Sequence, residues 1–236
     1  MSDDYFLQLY IARHGESYGN LPQSERPWRS PPTPEQEHDP QLTPLGEEQA
    51  KALGERLSVR RFNAIFSSPL IRAVSTACET ASRQPGGTIP VDLLGDLREK
   101  GTPWDYPGYS LEQIKEKYSF VRTYHTIVPF QERAVLDGED ESQRNDSTLR
   151  RGQDCISFIR ERFYSGENVL LVAHGTFNTY LIRAALGLGN EKGFNFCQEN
   201  TGLTKVKYFK DGSLRLAYMN DTSHLFDVNP ELSFSL

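Results

Sequence analysis

Short apolar runs alternate along this chain with stretches that repeat every three to four residues, and that alternation most restricts the fold it can adopt. Strand-like runs occur at residues 6–12, 64–67, 89–94, 169–173, 204–209 and 214–219. Between most of them lie helical faces. Gly46, Ala50, Leu53 and Leu57 mark one, Leu149, Ile156, Ile159 and Phe163 a second, and Phe177, Tyr180, Leu181, Ala184, Ala185 and Leu188 a third. Thr43-Pro44 reads as a cap followed by a first-turn proline, and Gly187 and Gly189 end the third helix. Strands separated by helices predict an α/β fold, a three-layer sandwich whose mostly parallel central sheet is flanked by helices. The last two runs, joined through Asp211-Gly212, predict a closing hairpin.

Two stretches interrupt the alternation. Residues 21–41 are rich in proline and polar side chains; residues 101–147 are aromatic early and acidic late, at 137–141. Both are expected to be loop insertions in one domain spanning residues 1–236, covering whatever site the fold builds. A chain of 236 residues buries enough surface to need no disulfide or metal staple. Cys78, Cys155 and Cys197 lie far apart with no C-x-x-C pair, which suits a reducing compartment. A net charge of −6 argues against a nucleic-acid partner. No run approaches the roughly 18 apolar residues of a membrane span, and the acidic opening is no signal peptide, so a cytoplasmic location without membrane partners is expected. Nothing in the pattern indicates an oligomeric state.

The chemistry collects where the apolar runs stop. The first ends in Arg13-His14-Gly15. The second runs into Ser67-Ser68-Pro69 and a helix with Arg72 in its first turn. The third is followed by Arg98 and Glu99. The fourth ends in His174-Gly175 and opens a helix at Thr176. Ligands of open α/β sheets bind outside the carboxyl ends of the strands, so parallel runs would bring Arg13, His14, Arg72, Glu99 and His174 to one edge. Two arginines, two histidines and the amides of a helix N-terminus match a tetrahedral anion such as phosphate. A histidine nitrogen can attack phosphorus, and Glu99 could protonate the leaving oxygen. Asp96 and Asp105 are alternative acids nearby. A zinc site would need a third ligand that no H-E-x-x-H or C-x-x-C motif supplies.

The motifs "RHGESYGN", "LTPLGEEQA", "SSPLIRAVSTA", "LRE…WD" and "VAHGT", in this order from Arg13 to Thr176, resemble the histidine phosphatase superfamily of phosphoglycerate mutase-like proteins. The terminal "NDTSHL" is similar to the end of its bacterial phosphatase members. The resemblance implies His14 as the phosphorylated histidine and Glu99 as proton donor. It implies Arg13, Asn20, Arg72, His174 and Gly175 as the substrate pocket. It also implies no metal and no other cofactor, and a small-molecule phosphate ester as substrate.

Three activities fit such a family: hydrolysis of a phosphate monoester, phosphoglycerate mutase activity, and phospho-ligand binding without catalysis. Every catalytic position is filled, which disfavours a mere binder. The elements with which mutases follow their R-H-G and acid motifs are replaced by the proline-rich loop and by "KGTPWDYPGYS", so a phosphatase is the expected function. An acid that must be protonated beside a histidine that must be neutral places maximal activity on the acidic side of neutrality. Trp28, Trp104, Tyr106, Tyr109 and Phe130 either roof the alcohol half of the substrate or pack the insertions onto the sheet. His38 and His125 are expected to be ordinary surface or core residues, and His224 to make a structural hydrogen bond.

Overall fold

The computed structural model describes residues 4–28, 31–129, 132–133, 140–191 and 195–228. Seven strands form one sheet: β1 (Tyr5–Arg13), β2 (Ala64–Ser67), β3 (Val91–Leu94), β4 (Val121–His125), β5 (Glu167–Ala173), β6 (Leu203–Phe209) and β7 (Leu214–Asp221), in the spatial order β4-β3-β2-β5-β1-β6-β7. The first five of that order pair in parallel, while β6 and β7 run antiparallel. The helices are α1 (Pro34–His38), α2 (Pro44–Leu57), α3 (Ile71–Ser82), α4 (Leu111–Lys117), α5 (Glu141–Arg162) and α6 (Gly175–Leu186).

Period-two alternation in β1 explains the layering. Tyr10 and Ala12 join one core with Leu53 and Leu57 of α2 and with Val74, Ala77 and Ala81 of α3. Leu7, Leu9 and Ile11 point the other way, into a core shared with Cys155, Ile156 and Ile159 of α5 and with Phe177, Leu181 and Ile182 of α6. A strand apolar on both faces belongs in the middle of a covered sheet, and each such side chain contributes about 1.5–3 kcal/mol on burial. Strand β5 lies between β1 and β2, and α2 and α6 cover opposite faces. The crevice where connections diverge therefore opens at the carboxyl ends of β1 and β5.

The capped start of α2 follows expectation: Thr43 Oγ1 accepts from Gly46 N at 3.0 Å, with Pro44 as the first helical residue. Gly187 ends α6 in the left-handed conformation, φ 70°. The hairpin turns at Asp211-Gly212, where Asp211 Oδ1 accepts from Ser213 N. Neither presumed loop is wholly irregular. Residues 21–41 contain α1, and residues 101–147 contain α4, an entire parallel strand, β4, and the first two turns of α5. The third strand starts at Val91 rather than Ile89. Phe130 and residues 137–139 of the acidic run lie outside the described residues; Asp140 caps α5 through Gln143 N. Cys78 and Cys155 are buried thiols and Cys197 is exposed. Among the described residues, no helix is long and apolar enough to cross a membrane.

Candidate active site

At the end of β1 the backbone is clamped from three sides. His14 N donates to the Ala173 carbonyl at 3.0 Å, so the imidazole stands on the last rung of the sheet. Gly15 N donates to Thr76 Oγ1 of α3 at 3.0 Å. From the third side, Thr201 N reaches the carbonyls of Arg13 and His14 at 3.1 and 3.2 Å, and Asn200 Nδ2 reaches His14 O at 3.0 Å. Thr201 holds φ 57°, a conformation that strains a β-branched residue by about 1–3 kcal/mol. His224 Nε2 is hydrogen-bonded to Thr201 Oγ1 at 3.0 Å, the structural bond expected of it.

The tautomer of His14 follows from its partner. Its Nδ1 lies 2.6 Å from the Gly15 carbonyl, which can only accept, so Nδ1 carries the proton and Nε2 the lone pair. Burial, and then the guanidiniums of Arg72 and Arg13, hold this imidazole well below the ordinary histidine range. His174 is depressed in the same way, by burial first and Arg72 next. The two rings lie with centroids 5.1 Å apart. His174 Nε2 meets Ser68 Oγ at 2.8 Å, while its Nδ1 is buried without a hydrogen-bond partner; so is Arg13 Nε. Arg13 is anchored by Nη1 to the Gln198 carbonyl at 2.8 Å, and a Cβ at Gly175 would come within 3.2 Å of its Nε.

Two carboxylates complete the edge, each at the start of a helix that brings its own capping residue no side-chain bond. Leu70 caps α3, and the Ile71 amide donates to both oxygens of Asp39, at 2.8 and 3.0 Å. Asp39 is fully buried and also faces Arg72 Nη1 at 3.4 Å. Burial pushes its carboxyl up to about 6 against the opposing pull of Arg72 and the Ile71 amide. At α6, Glu99 accepts from Thr176 N at 3.1 Å and Phe177 N at 2.8 Å. The carboxylates thus satisfy helix donors that would otherwise be orphaned.

All seven residues singled out in the sequence lie at this edge. Asn20 is its most peripheral member: its Oδ1 accepts from Ser17 N at 2.9 Å and touches Asn200 Nδ2 at 3.4 Å. The alternative acid Asp96 is held by the buried Arg133 at 3.0 Å, and Asp105 is exposed in a turn. Sequence reasoning missed Asp39, Ser68, Thr76 and the 198–201 segment. Neither Asp39 nor the 198–201 segment has an apolar period beside it to mark its role. The aromatic roof divides. Trp28 and Tyr109 line a cavity of about 200 Å³ with Tyr18 and Pro40, Trp104 lines another, and Tyr106 is buried against His38, ring centroids 5.2 Å apart. His125 packs among Phe66 and Phe158.

Comparison with known proteins agrees with this geometry. Residues 9–222 match the histidine phosphatase superfamily, branch 1. The chain is 30% identical over 177 residues to 2,3-bisphosphoglycerate-dependent phosphoglycerate mutase of Cytophaga hutchinsonii, covering 71% of each chain. It is 31% identical over 167 residues to 2-carboxy-D-arabinitol-1-phosphatase of Triticum aestivum, covering 71% of this chain and 32% of that one. Among solved structures, YhfR of Bacillus stearothermophilus superposes with a TM-score of 0.61 at 25% identity, over 93% of this chain and 99% of the other. With relatives that are mutases and phosphatases, and a family match running from within β1 to past β7, the chain belongs to the histidine phosphatase superfamily, branch 1.

Proposed function

We propose that this protein is a phosphatase that hydrolyses a small phosphate monoester through a phosphohistidine on His14. The observation that carries the reading is the state of His14: a buried imidazole, neutral by virtue of its surroundings, with Nδ1–H tied to Gly15 and Nε2 left as nucleophile. In the first step Nε2 forms a bond to phosphorus as the bond to the alcohol oxygen breaks, and Glu99 gives that oxygen its proton. Arg13, Arg72, His174 and the Gly175 end of α6 take the non-bridging oxygens, using the buried Arg13 Nε and His174 Nδ1 that lack protein partners. Asn20 closes the outer side. In the second step water attacks phosphorus, its proton passes to the Glu99 carboxylate, and the P–N bond breaks to release phosphate. Each step uses side chains alone, without metal or other cofactor.

Hydrolysis is favoured over transfer because the loop at 21–41 and the segment after Glu99 replace the elements by which mutases grip glycerate. The Cytophaga relative keeps mutase activity as the alternative. The test is phosphate release from an aryl phosphate by wild type and H14A, with chelator present. Chelator-resistant release abolished by H14A is the expected result. Absence of release, with phosphoryl exchange appearing once a bisphosphate primer is added, would replace the phosphatase by a mutase.

A further inference from the structure

The stretch "NDTSHL", residues 220–225, supplies no group to the chemistry proposed above, yet its side chains hold the loop that holds the nucleophile. Among the described residues, Thr201 of that loop and Asn220 of this stretch are the two non-glycine residues with positive φ, 57° and 50°. Asparagine tolerates the left-handed region; a β-branched residue persists there only where its surroundings over-determine it. The surroundings of Thr201 do so. Its hydroxyl proton goes to the Asn200 carbonyl at 2.7 Å, so Oγ1 can only accept from His224. His224 Nε2 therefore carries the ring proton, and Nδ1 is left as a buried lone pair. Asn220 Oδ1 accepts from Glu199 N at 2.8 Å, and a Cβ at Gly202 would come within 2.1 Å of the same oxygen, so glycine is needed to admit it. The stretch is itself fixed from outside: Asp221 pairs with Arg56 of α2, and Leu225 is fully buried.

The other side of the same loop carries the reacting groups. The Gln198 carbonyl anchors Arg13, and Thr201 N and Asn200 Nδ2 reach the carbonyls of Arg13 and His14. A chain of contacts thus runs from α2 through Asp221 and His224 to Thr201, and from Thr201 to the backbone of His14. The peptide plane that carries Thr201 N–H is rigid, so relaxation of φ at 201 turns that N–H away from both carbonyls.

We infer that Asn220 and His224 are positioning residues for the nucleophile: by holding Thr201 left-handed they keep its amide on the Arg13 and His14 carbonyls, and so aim His14 Nε2 at phosphorus. This rests on the phosphatase reading above. The test measures kcat and KM for phosphate release from an aryl phosphate, per folded molecule and well below the unfolding temperature, in H224F, H224Q, N220A, T201V and the double variant of H224F with T201V. H224F keeps a ring and removes the donor. Its kcat should fall about tenfold while KM changes far less, since misplacement near 1 Å can cost about 100-fold. N220A should do the same, and it carries the test alone if H224F does not fold. Glutamine presents an N–H in the place of Nε2, so H224Q should recover most of the lost kcat. H224F and T201V break one and the same contact, so the double variant should be no slower than the slower single one. Wild-type kcat in H224F and N220A, an H224Q as slow as H224F, or losses that multiply in the double variant overturn the positioning role and leave the phosphatase reading standing. Lack of His14-dependent release by wild type overturns the phosphatase reading, and the positioning role falls with it.

Discussion

Gly46 lies in the first turn of α2, where helix propensity and tertiary contact make opposite demands. Replacing glycine by alanine inside a helix stabilises by at most about 1 kcal/mol. Here, however, a Cβ at position 46 would sit 1.9 Å from the Glu16 carbonyl oxygen and 2.8 Å from its carbon, both backbone atoms. Relief requires the turn after His14 to move by more than ~1 Å, and overpacking of that kind costs about 1–3 kcal/mol or more. The same movement stretches Thr43 N to Glu16 O, at 2.9 Å, and Glu16 N to Gln49 Oε1, at 2.7 Å. Each of those bonds is worth about 0.5–1.5 kcal/mol. The contact therefore wins, and G46A should lose about 2–4 kcal/mol net. For a chain of this size that corresponds to a melting temperature roughly 5–15 °C lower. Urea and thermal unfolding measure the loss. Activity per folded molecule should also fall, because His14 and Gly15 move with Glu16, and misplacement near 1 Å can cost about 100-fold. A variant as stable as wild type or more so would show that propensity decides and that the two turns do not touch.

D39N should lower kcat/KM about tenfold at pH 7.5, because Arg72 loses its buried counter-charge while the amide oxygen still caps Ile71 N. The gap to wild type should close as pH falls through about 6, where Asp39 itself takes a proton; a gap constant from pH 5 to 8 would refute this role. His224 is lowered to about 4, chiefly by burial. The unfolded chain thus binds a proton that the folded chain refuses: the His224 contribution is complete above about pH 6.5 and is lost as pH falls toward 4. From pH 7 to 5 wild type should therefore lose about 1–2 kcal/mol more stability than H224Q, measured by urea midpoints in phosphate-free buffer. Parallel pH profiles for the two proteins would contradict the assignment. His14 and His174 act in the same sense, so activity should persist below pH 6.5 without a fall from protonation of the nucleophile; loss centred at that value would place His14 in a solvated setting.

What could be read from the chain was whatever has a period or stands next to something periodic. The apolar alternation of β1 and β5 located two strands, and their ends located His14 and His174. Arg72 was legible because a helix start follows the S-S-P turn. The short strand β4, "VRTYH", was not, since Val121 is its only fully buried residue and the other four residues show no apolar alternation. α1 and α4 were hidden for a related reason. They are five and seven residues long with little apolar face: α1 buries no residue and α4 buries Ile114 alone, and each starts at a capping box, on Thr33 and Ser110. Asp39 and the 198–201 segment act through tertiary contacts made far away in sequence, with Ile71 and with the carbonyls of Arg13 and His14. No local pattern records such contacts.

The placement of the two carboxylates explains why the site is both rigid and able to take an anion. Arg72 is the second residue of α3 and His174 is the cap of α6, so each proposed phosphate ligand is oriented by the helix it starts. Neither helix supplies its own cap, and Asp39 and Glu99 do so from separate loops, fixing helix, ligand and carboxylate with the same hydrogen bonds. Counted at the edge itself, Arg13 and Arg72 against Asp39 and Glu99 leave little net charge. The proposed substrate, with two negative charges on phosphate, therefore cannot be held by surplus charge alone. It must be met by directional donors that water does not already satisfy, and the buried Arg13 Nε and His174 Nδ1 are of that kind. Neutral histidines serve this purpose better than charged ones: a protonated His14 would have no lone pair for phosphorus, and burial first, then the neighbouring arginines, keeps it neutral.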